Sequence, residues 1–179
     1  MKKKIIIVFL SFLFVSAGQY NVVAQKTGTR IKDADSAYME SVVWFSQPRE
    51  ITDIRLLLQD GKKEAAVEKA RDYVESLENV GGNEAKQRRY YALNALCAAL
   101  TSTGQTKEAI SSCSRAIKIN PSLWEALNTR GTAYYVSNQI DLALKDYRAA
   151  LSKVQNSEPL TDLIQHNIEL AKAKKSESK

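Results

Sequence analysis

The sequence predicts an all-α protein: a short α-solenoid of about three helix-turn-helix hairpins, closed by a C-terminal capping helix. Three observations predict it. Three seven-residue segments align without gaps, Gly61 to Val67, Gly104 to Ile110 and Asn138 to Leu144. Apolar residues recur at helical spacing around them, as in Tyr90, Leu93, Leu96, Cys97 and Leu100. No stretch bounded by turns shows the alternation of a half-buried strand.

Residues 1–24 have the layout of a secretory signal peptide. Lys2, Lys3 and Lys4 precede an apolar run from Ile5 to Val15, and small or polar residues follow. The run falls short of the roughly 20 apolar residues a membrane-spanning helix needs. Cleavage is expected after Ala24, with Gly18 as the weaker alternative and an uncleaved anchor as the competing reading. No cysteine follows the run to carry a lipid. The chain is therefore expected to be exported, periplasmic or secreted. Removal of this segment leaves 155 residues with a net charge of +3. That length suits one packed domain, and so mild a charge does not imply a nucleic-acid partner.

Residues 25–46 contain a potential cap, Ser36, ahead of Ala37 to Phe45, with an apolar cluster at Val42 to Phe45. They read either as a short helix packed on the first hairpin or as a segment lying in a groove until a partner displaces it.

Each aligned segment opens with Gly or Asn, residues that tolerate a tight left-handed turn. Each then places alanine and an aliphatic residue at its end. The starts at Gly104 and Asn138 lie 34 residues apart, those at Gly61 and Gly104 43 apart. The excess is assigned to a loop at Asn79 to Asn83 and to a lengthened second helix in the first unit. Ser122 to Glu125 reads as a capping box opening the third unit. Ser157, Glu158 and Pro159 read as the start of a capping helix over 157–175 with an apolar face of Leu160, Leu163, Ile164, Ile168 and Ala171. Residues 176–179 are read as a frayed tail.

A 34-residue period of helical hairpins resembles the tetratricopeptide-repeat (TPR) family, as an exported bacterial member. In the third unit, 124–155, Gly131, Tyr134, Ala143, Tyr147, Ala150 and Leu151 stand at family positions. In the second, 90–121, Leu93, Leu96, Gly104, Ala109, Ala116, Ile117 and Pro121 do so. There Cys97 takes a small-residue position and Cys113 an aromatic one. The first unit, 47–80, is degenerate. Gly61 and Ala66 fit, but Glu50, Asp53 and Tyr73 replace Trp, Leu and Ala. Arg130 also departs from an apolar preference. Together the three units span 47–155.

The resemblance implies a concave groove lined by the first helix of each unit. Its residues would be Arg55 and Gln59, then Tyr91, Asn94, Ala98 and Thr101, then Glu125, Asn128, Thr132 and Tyr135. Some of them could instead contact the capping helix. The Lys/Asn/Arg clamp with which some members bind chaperone C-termini is not matched: Ala98 follows Asn94, and Glu125 would repel a carboxylate. Cys97 and Cys113 would face each other across one hairpin, either bridged or as two buried thiols.

No catalytic constellation emerges. His166 is the one histidine; Gly81 and Gly82 lack the lysine and flanking glycine of a phosphate loop; no cluster has metal-ligand spacing. No cofactor, metal site or enzyme activity is expected. The leading reading is a non-catalytic scaffold of the cell envelope that binds a protein or peptide. Membrane contact is expected only through the signal peptide, and self-association stays open. The alternative is binding of anionic polymer or membrane through Arg88, Arg89, Lys172, Lys174 and Lys175. An enzyme with an unrecognised site ranks last.

Overall fold

The computed structural model describes residues 48–154 and 157–177; the signal-peptide assignment, the segment 25–46 and residues 178–179 lie outside them. The described residues form seven helices: α1 Arg49–Gln59, α2 Lys63–Ser76, α3 Asn83–Ser102, α4 Thr106–Ile119, α5 Glu125–Val136, α6 Ile140–Leu151 and α7 Glu158–Glu177.

Three hairpins, α1/α2, α3/α4 and α5/α6, close at the residues that open the aligned segments. Gly61, Gly104 and Asn138 all have positive φ, at 74°, 77° and 61°. Each turn then repeats one pattern: the next residue's N–H reaches back five residues, Lys62 to Leu57, Gln105 to Leu100 and Gln139 to Tyr134, at 2.8–2.9 Å. This satisfies carbonyls at the helix end that would otherwise lack partners.

Successive units stack so that α1, α3, α5 and α7 touch in series, whereas α2, α4 and α6 do not touch one another. The first helices thus form a close inner layer and the second helices a spread outer one, which curves the solenoid. Two apolar clusters fill it, one of the first two units with Ala126 and Ala133 of α5, and one from Trp124 to Ala171. Ile117 packs against both.

The contact between the two helices of each hairpin centres on residues sixteen apart, and the units solve it differently. Ile54 and Ala70 are both fully buried in the first. In the second, Cys97 and Cys113 form a disulfide with a Cα–Cα distance of 5.4 Å. In the third, Gly131 faces Tyr147, and a Cβ at Gly131 would lie 2.6 Å from the ring. That ring is fully buried and donates its hydroxyl proton to Thr132 Oγ1 at 3.1 Å. Gly131→Ala should therefore overpack the core and cost about 1–3 kcal/mol, although alanine is the better helix former. A denaturant midpoint unchanged or raised by the substitution would contradict this.

Several local expectations need correction. The extra residues of the first interval do not lengthen α2, which has 14 residues like α4. They extend α3 to 20 residues at its N-terminus. The capping box at Ser122 does not form: Ser122 donates its N–H to Asn120 Oδ1 at 3.1 Å, and α5 starts at Glu125 without a side-chain cap. Glu125 is thus the first helical residue rather than the third, and its carboxylate is free to turn toward α3. The apolar face of α7 buries Leu160, Ile164, Ile168 and Ala171, and the helix reaches Glu177.

The departures from family positions find partners. Arg130 makes a two-pronged ion pair with Asp146, Nε to Oδ2 at 2.6 Å and Nη2 to Oδ1 at 2.9 Å. It also donates to Ser114 Oγ at 3.0 Å and lies over the Tyr134 ring. One side chain thereby ties α5 to α6 and α4. In the first unit, Asp53 pairs with Lys69 at 3.2 Å, and Tyr73 is buried in the core.

Candidate inner-face binding site

The ten side chains assigned to the groove do not share one environment. Those of the third unit are largely covered. Asn128 and Thr132 are fully buried and Tyr135 nearly so, and α7 contributes the cover. Asn167, itself fully buried, donates Nδ2–H to Asn128 Oδ1 at 3.0 Å. Lys174 donates to the Tyr135 carbonyl at 3.3 Å and sits 4.5 Å from its ring centroid. The C-terminal helix therefore occupies the place a fourth unit's first helix would take. Sequence pattern shows that α7 caps the solenoid, but not how far its polar residues reach over α5.

Glu125, also on α5, remains half-buried. It accepts the Tyr90 hydroxyl proton at 3.2 Å, and the Ala126 N–H donates to the same Tyr90 oxygen at 3.2 Å. Burial raises the Glu125 pKa above the ordinary carboxylate value, outweighing the hydrogen bonds that favour the charged form. Between the ordinary value and the raised one, the folded state holds a proton that the unfolded state releases, so stability falls as pH rises through that window and stays lowered above it. Glu125→Gln keeps an acceptor for Tyr90 and removes the charge. Its melting temperature should exceed that of the parent at pH 7, and the difference should vanish once pH drops below the ordinary carboxylate range. An equal offset at both pH values would contradict this.

The first two units leave the inner face more open. Tyr91 and Asn94 on α3 are half-buried, and Gln59 on α1 is exposed. Ala98 and Thr101 are buried, and Thr101 donates its hydroxyl to the Cys97 carbonyl at 2.8 Å, so these two build the floor. Arg55 is only 8% exposed. Its Nε–H has no acceptor, and burial lowers its pKa with no anion to offset it. Asn94 Oδ1 is likewise buried and receives no hydrogen bond. Sequence reasoning picked both residues from their repeat positions but could not see that they are unpartnered. A cavity of about 430 Å³ opens between the starts of α1 and α3, lined by Pro48, Arg49, Glu50, Glu84, Gln87, Arg88 and Tyr91.

The basic residues considered for anion binding are engaged within the fold. Arg88 pairs with Glu84 at 2.6 Å and Lys172 with Glu169 at 2.8 Å. Arg89 donates to the Glu78 carbonyl at 3.3 Å, Lys174 is held at Tyr135, and Lys175 pairs with Asp141. They form no continuous unpaired patch. Among the described residues no three His, Cys, Asp or Glu side chains come together as a metal site, and no helix is long and apolar enough to cross a membrane.

No family model matches the sequence, and no curated protein matches it. Among solved structures, the chain is similar to the TPR domain of P58(IPK), with 23% identity and a TM-score of 0.58; the match covers 73% of this chain and 34% of that one. It is also similar to the first TPR domain of human RPAP3, with 22% identity and a TM-score of 0.54, covering 73% of this chain and 94% of that one. At these identities the likeness shows the fold: an all-α solenoid of TPR type.

Proposed function

We propose that the protein is a non-catalytic interaction scaffold that holds a peptide or extended protein segment against the inner faces of α1 and α3. The observation that carries this reading is the contrast along the inner layer. The third unit's inner residues are closed off by α7, whereas Tyr91, Asn94, Gln59 and the cavity at the start of α1 and α3 stay accessible. Tyrosine supplies contact area with little conformational entropy to lose, and asparagine offers both a donor and an acceptor to a passing backbone. The signal-peptide layout of residues 1–24 and the mild net charge support a reading in which this scaffold acts in the cell envelope of a bacterium on a protein ligand.

The test is affinity capture of the tagged chain from cells that express it, against a chain with Gln59→Ala and Tyr91→Ala together. One defined partner should be recovered by the parent and lost with the double variant, while circular dichroism shows the fold intact. Recovery of the same partner by both proteins would contradict the reading. Asn128 and Tyr135 are unsuitable probes, because replacing them disturbs the seat of α7.

A further inference from the structure

Two charges of opposite sign, Arg55 buried and Glu125 half-buried, stand on the inner layer without a counter-ion among the described residues. Arg55 on α1 has neither an ion pair nor a hydrogen bond for its Nε–H. Glu125 on α5 has the Tyr90 hydroxyl and no cation. Other charges within the fold are treated differently: Arg130, more exposed than Arg55, is paired with Asp146 and bonded to Ser114. Leaving a desolvated charge unpaired costs stability. Such a cost is retained where a ligand supplies the missing partner. Between the two charges lies α3, where the buried Asn94 Oδ1 also receives nothing.

The spacing follows from the layer itself. The inner helices run parallel, and packed helices stand about 8–10 Å apart, so two steps from α1 to α5 cover about 18 Å. Arg55 lies roughly two helical turns further along its unit than Glu125 does along its own, about 10 Å at 1.5 Å per residue. The two charges are then about 20 Å apart, which is about six residues of extended chain.

We propose that this face recognises an extended protein segment by charge spacing, with an acidic side chain seated on Arg55 and a basic one on Glu125 about six residues away, and with a backbone N–H between them donated to Asn94. This deepens the groove reading above and rests on it. Opposite charges at the two ends also make the site reject segments of one sign, since a second acid would meet Glu125 and a second base Arg55.

The experiment is selection of a displayed random peptide library against the full chain, with inserts of about twelve residues, long enough to cross the three inner helices. Selected peptides that compete for Tyr91 should be enriched in an acid and a base about six residues apart. Replacing the peptide acid by Gln should weaken binding about tenfold to the parent and leave binding to Arg55→Met unchanged. Replacing the peptide base should behave in the same way with Glu125→Gln. Arg55→Lys, which keeps the charge without the planar fork, should retain the preference at lower affinity. Because Arg55 has no partner to lose, Arg55→Met should melt no lower than the parent, which separates this site from a structural one. Peptides that bind at Tyr91 without the charge pair, or that lose the same affinity with every variant, would overturn the charge-spacing proposal and leave the groove reading intact. Absence of any peptide competing at Tyr91 would overturn both.

Discussion

Asp146→Ala is expected to lower stability by about 3–5 kcal/mol, the usual cost of leaving a buried partner charge uncompensated. The Asp146 side chain is 6% exposed and that of Arg130 21%. Both carboxylate oxygens face the guanidinium, at 2.6 and 2.9 Å. Removing the carboxylate strands Arg130 between α4, α5 and α6 with Ser114 as its one remaining hydrogen-bonded neighbour. A domain of this size is stabilised by only about 5–15 kcal/mol, so the variant should lose a large share of its margin. Replacing both residues by apolar ones of similar volume, as in Arg130→Met with Asp146→Leu, should recover most of the loss. Equilibrium denaturation of the three proteins checks this. A single variant that unfolds within 1 kcal/mol of the parent would show that the pair is solvated in solution.

Breaking the disulfide should cost about 3 kcal/mol, because Cys97 and Cys113 close a loop of sixteen-residue separation. Both cysteines are fully buried, so reductant acts only through opened chains and the native protein should resist it. The comparison is denaturant unfolding of the parent with and without dithiothreitol, beside Cys97→Ala with Cys113→Ala. The parent should fall to the level of the double variant once reduced, and the double variant should ignore the reductant. A parent insensitive to reductant even after unfolding would mean that no bridge is present.

Much of the fold is legible in the residues because it rests on local chemistry. Gly61, Gly104 and Asn138 mark the three hairpin turns, and each takes the left-handed conformation that its residue type tolerates. Small and large residues sixteen apart identify the hairpin contacts. Arg130 read as a departure from an apolar preference, yet the same sixteen-residue interval leads to Asp146 and would have supplied its partner. The capping box at Ser122 failed because Asn120 Oδ1 takes the Ser122 N–H in a turn, and the first helical bond there runs from the Asn128 N–H to the Trp124 carbonyl. The inner-face residues could be placed on the right helices, since repeat position sets the face. Their accessibility could not, because it depends on the tertiary reach of Asn167 and Lys174 from α7. The unpaired state of Arg55 was equally hidden: it is a property of what does not surround it.

Binding is expected on the inner face of α1 and α3. The most direct measurement places a photo-crosslinking residue at Gln59 or Tyr91, and as controls at Ser111 or Lys118 on the exposed side of α4, in the full chain expressed in its own cells. One partner captured from Gln59 and Tyr91 and absent from Ser111 and Lys118 is the predicted result. Equal capture from both faces, or capture from α4 alone, would contradict it.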